Sequence, residues 1–134
     1  MNKIILTSLI TIGIFLLSSF MADPQLKESI KSGKEVYDQN CQNCHMEDGQ
    51  GTPEINPPLA NSDYLKNPAK TLIEVILKGQ SGEVVVNGKK YNTDMPAQEY
   101  LTDDQIADVL NYVRNSWENK IPEVITPAMV KALR

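Results

Sequence analysis

Cys41-Gln42-Asn43-Cys44-His45 holds both cysteines and the only histidine of a 134-residue chain. Two thiols three positions apart, followed at once by an imidazole, form the attachment sequence of a covalently bound haem. Thiols so placed can add to the two vinyl groups along one edge of the porphyrin, which fixes the next side chain beneath the iron as its proximal ligand. A structural zinc site would need two more Cys or His ligands, and the sequence has none. A thioredoxin-like thiol pair would accompany a βαβ pattern, which is absent. The motif predicts one haem c, with Cys41 and Cys44 as thioethers and His45 as iron ligand.

Working outward, Asp23-Pro24 is a cap followed by a first-turn proline. Leu26, Ile30, Gly33 and Tyr37 then recur at helical spacing and lead directly into the motif. Met46 to Asn67, rich in Gly, Pro, Asn and Asp, is expected to be loop, with Pro57-Pro58 as its rigid centre. A second helix is predicted from Pro68 to Lys78, with Leu72, Ile73, Ile76 and Leu77 inward and Gly79 ending it. Val84–Val86, Asn87-Gly88 and Lys89–Tyr91 form a hairpin signal with a type I′ turn. Thr102 and Gln105 make a capping box for a helix whose apolar stripe is Ile106, Val109, Leu110, Val113 and Trp117. Thr126-Pro127 opens a short terminal helix. The expected fold is all-α, three to five helices around one haem with a small β-hairpin.

The N-terminus has a different composition. Lys3 precedes an uncharged, mostly apolar run from Ile4 to Phe20, and Ala22 follows. This is the layout of a secretory signal, although the run exceeds the usual apolar core of roughly 7–15 residues and Phe20 is bulky for a cleavage site. Two outcomes stay open: cleavage near Ala22, or retention as an anchor, since the run sits at the lower limit for spanning a bilayer. Residues 1–22 are therefore assigned to a signal peptide or anchor, and 23–134 to a single domain. Both outcomes place the protein in the periplasm or on the outer face of the cytoplasmic membrane, with membrane contact only if the segment is retained. Removing 1–22 takes away Lys3 alone among charged residues and moves the net charge from −4 to −5. That acidity argues against nucleic acid or an anionic membrane surface as partner.

With no second histidine, a methionine is the expected sixth ligand, and Met/His ligation raises the reduction potential. Met21 lies in the signal, Met46 adjoins the proximal histidine, and Met129 belongs to the apolar tail, where packing is its simplest role. Met95 lies 50 residues after His45, in an irregular loop stiffened by Pro96, and is the favoured candidate.

Gly33 and Tyr37 before the pentapeptide, Gly49-x-Gly51, Pro57-Pro58-Leu59, Met95-Pro96 and Tyr112 together resemble the class I, mono-haem cytochromes c. The resemblance covers essentially the whole chain after the signal. It implies that the first and last long helices cross at Gly33 beside Tyr37 and Tyr112. It implies too that Pro58, or its neighbour Pro57, lends a backbone carbonyl to His45, and that Met95 is the distal ligand. Asp63-Tyr64-Leu65 and the Gly82-to-Tyr91 hairpin are most similar to bacterial members found free, or fused to dehydrogenases and copper nitrite reductases. The acidic charge departs from the basic mitochondrial proteins, so their lysine-ringed docking patch is not carried over.

Plainer readings cover the remaining features. Gly33 could be a tolerated helix glycine at a cost of about 1 kcal/mol against alanine, Lys89-Lys90 a solvated hairpin tip, and Asp103-Asp104 complements to the helix end. The expected function is single-electron transfer, without substrate chemistry, to a redox partner such as a dehydrogenase, nitrite reductase or terminal oxidase. The competing readings are a haem enzyme or gas sensor, where Met95 leaves the iron open, and a membrane-tethered subunit of an oxidase or dehydrogenase.

Overall fold

The computed structural model describes residues 23–134; the expected signal segment and its cleavage point lie outside the described residues. Helix α1 runs Pro24–Asn40, and the Asp23 carboxylate accepts from the Gln25 amide at its start. Its buried face is Leu26, Gly33, Val36 and Tyr37. A single turn, α2 (Gln42–His45), follows at once. A long loop comes next, and within it Asp63–Lys66 winds into a 3-10 turn that composition alone did not indicate. Helix α3 (Ala69–Lys78) buries Leu72, Ile73, Ile76 and Leu77 and stops at Gly79.

Strands β1 (Val84–Val86) and β2 (Lys89–Tyr91) pair antiparallel with Val84 opposite Tyr91. Asn87 and Gly88 both have positive φ, +51° and +75°, as a type I′ turn requires. The hairpin is tied down by Asp63 and Asn87, each of whose backbone N–H groups donates to the other's side-chain oxygen.

Helix α4 (Asp103–Arg114) carries the complete Thr102/Gln105 capping box. It packs on α1 at Gly33, where a Cβ would lie 2.0 Å from the Asp108 carbonyl oxygen and 2.8 Å from Tyr112 Cβ. The helix penalty of this glycine is therefore the condition for close crossing. Beside the crossing, the rings of Tyr37, Tyr112 and Trp117 meet one another with centroids 5.0–5.4 Å apart.

One expectation needs correcting. Trp117 joins the apolar cluster but does not extend the stripe of α4. The helix ends at Arg114, and Trp117 and Glu118 both take left-handed φ, +49° and +75°. Asn115 draws the chain back by donating to the carbonyls of Asn111 and Ile121. The tail then lies along the core and ends in α5 (Pro127–Lys131), burying Ile125 and Val130 completely. Five α-helices, a 3-10 turn and one hairpin make up the fold among the described residues. None of these helices is long and apolar enough to cross a membrane.

Candidate functional site

The turn of α2 gathers the pentapeptide. The amides of Cys44 and His45 both donate to the Cys41 carbonyl, at 3.2 and 3.0 Å, so both thiols and the imidazole project from one turn. All three side chains line a mostly apolar cleft enclosing about 970 Å³ of space, its open mouth included. Its walls come from four further elements: Tyr37 from α1, Leu72 and Ile76 from α3, Val84 and Val86 from β1, Leu110 and Val113 from α4. A large flat apolar ligand fits such a space better than a small polar one.

His45 Nδ1 lies 3.2 Å from the Pro57 carbonyl oxygen. A carbonyl only accepts, so the ring proton belongs on Nδ1 and the Nε2 lone pair is free for a metal. Burial lowers the pKa of His45, and the Pro57 carbonyl partly opposes that by favouring the protonated ring. The imidazole is accordingly neutral near pH 7, the form that binds metal. Of the two prolines the resemblance offered, the carbonyl in contact is that of Pro57 and not of Pro58, the position it favoured. The reason lies in how the loop closes: Leu59 and Ala60 both donate to the Gly49 carbonyl, and Gly51 donates to that of His45. This seats the segment one residue earlier against the ring than the twin prolines suggest.

Cys41 is half-buried, and its pKa is pushed up to about 11, first by burial and then by the neighbouring Cys44. A thiol held in its protonated form makes a poor exchange nucleophile, which weakens the reading of a redox-active thiol pair. Nor do three or more His, Cys, Asp or Glu side chains cluster as a metal cage among the described residues.

Met95 lines the same cleft. Its backbone is pinned in both directions to Gln80, Met95 N donating at 2.8 Å and Gln80 N at 2.9 Å. Of the other described methionines, Met46 is exposed beside a separate groove with Trp117, and Met129 packs against the core from α5. Cys41, Cys44, His45 and Met95 thus share one cavity, while Pro58 does not line it. The donor set of two thiols, one neutral imidazole and one thioether fits a haem c. Sequence reading missed Gly79, whose backbone packs against that of Met95, and Asn119, which donates to the carbonyls of the cleft-lining residues Leu59 and Val113. The only signal for Gly79 was its helix-ending position, and none marked Asn119.

A family model described as cytochrome c matches residues 30–117, most of the chain. Cytochrome c-552 of Thermus thermophilus is 39% identical over 89 residues, covering 63% of this chain and 67% of that one. Cytochrome c-555 of Prosthecochloris aestuarii is 35% identical over 89 residues, covering 64% of this chain and 86% of its own. The cytochrome c subunit of a quinone alcohol dehydrogenase from Gluconobacter oxydans is 31% identical over 104 residues. That match takes 77% of this chain but only 22% of the subunit, so the chain spans about a fifth of that relative.

Proposed function

The chain belongs to the cytochrome c family and is a haem-bearing electron carrier, and on that footing we propose that Cys41 and Cys44 attach the haem while His45 and Met95 bind its iron. The observation that carries this reading is the shared cleft: Cys41, Cys44, His45 and Met95 all line it. Bound haem supplies an iron that takes up and releases one electron. The chain's own residues do the rest. Pro57 fixes the ring and the tautomer of His45 through Nδ1. Gln80 fixes the backbone of Met95. The apolar walls from α3, β1 and α4 keep water and charge from the metal. Were His45 and Met95 both to hold the iron, no position would be left open for a substrate, and the domain's role would be electron transfer. Carbon monoxide distinguishes this reading from a haem enzyme or gas sensor, because a six-coordinate reduced iron refuses it and an open one binds it.

The partner is a redox protein that docks on the face carrying the loop after His45. His45 and Asn56 line the cavity, and the loop that joins them runs beside a neighbouring groove lined by Met46, Glu47, Asp48 and Trp117. That loop exposes Met46 and Ile55 together with Glu47, Asp48 and Glu54. No Lys or Arg occurs between Lys34 and Lys66. Among the described residues these three carboxylates enter none of the ion pairs, so no paired Lys or Arg offsets their charge. An apolar centre with a negative rim suits a partner whose own patch is rimmed by Lys and Arg. A dehydrogenase, a nitrite reductase or a terminal oxidase is the class of partner; relatives include cytochrome c subunits of a gluconate 2-dehydrogenase and a subunit of a cbb3-type cytochrome c oxidase.

Residues 1–22 direct export, with the domain 23–134 in the periplasm, free or tethered to the outer face of the cytoplasmic membrane. N-terminal sequencing decides between these: a start near Asp23 means cleavage, and an intact Met1 in the membrane pellet means an anchor. An intact Met1 in the cytosol would refute export.

A further inference from the structure

We propose that Asn119 is a positioning residue for His45, holding the Pro57 carbonyl against the imidazole and so setting the donor strength of the proximal ligand. The proposal rests on His45 being the iron ligand. Asn119 lies beyond the end of α4, buried to 9% exposure. Its side-chain nitrogen donates to the carbonyls of Leu59 and Val113, both at 2.8 Å, and its oxygen accepts from the Ser62 amide at 3.2 Å. Next to it, the Trp117 carbonyl accepts from the Asn61 amide. One buried amide group thus joins α4 to the segment that follows Pro57. Leu59 and Val113, the two residues it bridges, both line the cleft.

The chain adopts a strained path to reach this position. Trp117 and Glu118 sit consecutively in left-handed conformations, which L residues keep only where the surroundings over-determine them. The Asn119 bonds, with the packing of Trp117 against Tyr37 and Tyr112, supply that constraint.

The consequence passes through two residues of backbone. Leu59 is anchored by Asn119, and Pro57 lies two positions before it. Its carbonyl is 3.2 Å from His45 Nδ1, the long end of a hydrogen bond, where a small displacement weakens it markedly. A carbonyl accepting from Nδ1–H moves electron density towards Nε2 and makes the imidazole a better donor. A better donor favours the more highly charged, oxidised iron. Loosening the clamp should therefore raise the reduction potential.

The test uses the haem-loaded full chain. In Asn119→Ala the midpoint potential should move positive, and the Ser62 amide should exchange hydrogen about tenfold faster or more as its acceptor is lost. Asn115→Ala is the control. Asn115 likewise donates to two carbonyls, that of Asn111 in α4 and that of Ile121 in the tail, but makes no hydrogen bond to the segment between Pro57 and Ser62. It should lower the unfolding temperature and leave the potential where it was. If Asn119→Ala does not retain haem, Asn119→Ser serves, since its short hydroxyl cannot reach both Leu59 and Ser62, and the shift should have the same sign. A folded Asn119 variant with the parent potential, or equal shifts in the Asn119 and Asn115 variants, would make Asn119 structural only and overturn the proposal. A parent protein whose spectrum lacks histidine-ligated haem would instead refute the reading beneath it.

Discussion

The backbone of Gly79 approaches that of Met95 so closely that a Cβ on Gly79 would stand 2.5 Å from the Met95 carbonyl oxygen. Gly79 also ends α3 at φ +77°, a conformation that side chains disfavour. One glycine thereby terminates a helix and seats the loop bearing the proposed distal ligand. Gly79→Ala should cost about 1–3 kcal/mol of stability. It should also push the Met95 loop outward, so that the reduced protein binds carbon monoxide more readily than the parent. Unfolding curves together with a carbon monoxide titration check this, and loss of stability with no change in ligand access would separate Gly79 from Met95.

Met95 and Met129 make a direct comparison. A soft, neutral sulfur favours reduced iron, so its loss should lower the potential. Met95→Ala should abolish the weak sulfur-to-iron absorption at the red edge of the oxidised spectrum and admit carbon monoxide. Met129→Ala, packed against the core and outside the cleft lining, should alter neither property and cost only packing stability. The reverse pattern would move the distal ligand to Met129 and leave the cysteines as they stand.

Asp108 provides a pH dependence away from the haem. Burial raises its pKa, against the opposing hydrogen bond from Ser29, and the like charges of Asp104 and Glu28 add to the rise. A carboxyl whose folded pKa is raised holds its proton more firmly in the native state, so its contribution is full below the ordinary carboxylate range and fades as pH climbs through the raised value. Asp108→Asn removes the ionised form. The variant should be more stable than the parent at pH 7, by less than about 1 kcal/mol given the half-exposed site. The gain should vanish below about pH 4, where the parent is protonated as well. Chemical denaturation at pH 7 and at low pH measures both arms, and a gain that persisted in acid would contradict the assignment.

The acidic loop after His45 predicts salt sensitivity. Neutralising Glu47, Asp48 and Glu54 together as Gln, Asn and Gln should slow electron exchange with the physiological partner roughly tenfold at low ionic strength, and flatten its decline with added salt. Stopped-flow rates across a salt series give the answer. An unchanged salt slope would shift the docking face elsewhere.

Much of this architecture was legible where the controlling physics is local. The capping box at Thr102 and Gln105, the Asn87-Gly88 turn and the proline start after Thr126 all formed as their residue types dictate. The crossing at Gly33 was readable only through family resemblance, because no single helix shows that a second one will press against it. Trp117 was misplaced because helical periodicity says nothing of hydrogen bonds from Asn115 and Asn119 that reverse the chain. Pro57 and Pro58 differ by one step, and what selects the first is loop closure on the Gly49 carbonyl, a tertiary contact. The 3-10 turn at Asp63–Lys66 likewise depends on Asn87, 24 residues away from Asp63.

Covalent attachment is the claim on which the rest stands. The purified protein should be denatured in acid and acetone, digested, and the peptide spanning Cys41 to His45 weighed by mass spectrometry. The account predicts that the haem remains with the polypeptide and that this peptide carries its full mass, with attachment through one sulfur only in Cys41→Ser or Cys44→Ser. Complete passage of the haem into the acetone, leaving both thiols free on an unmodified peptide, would contradict it.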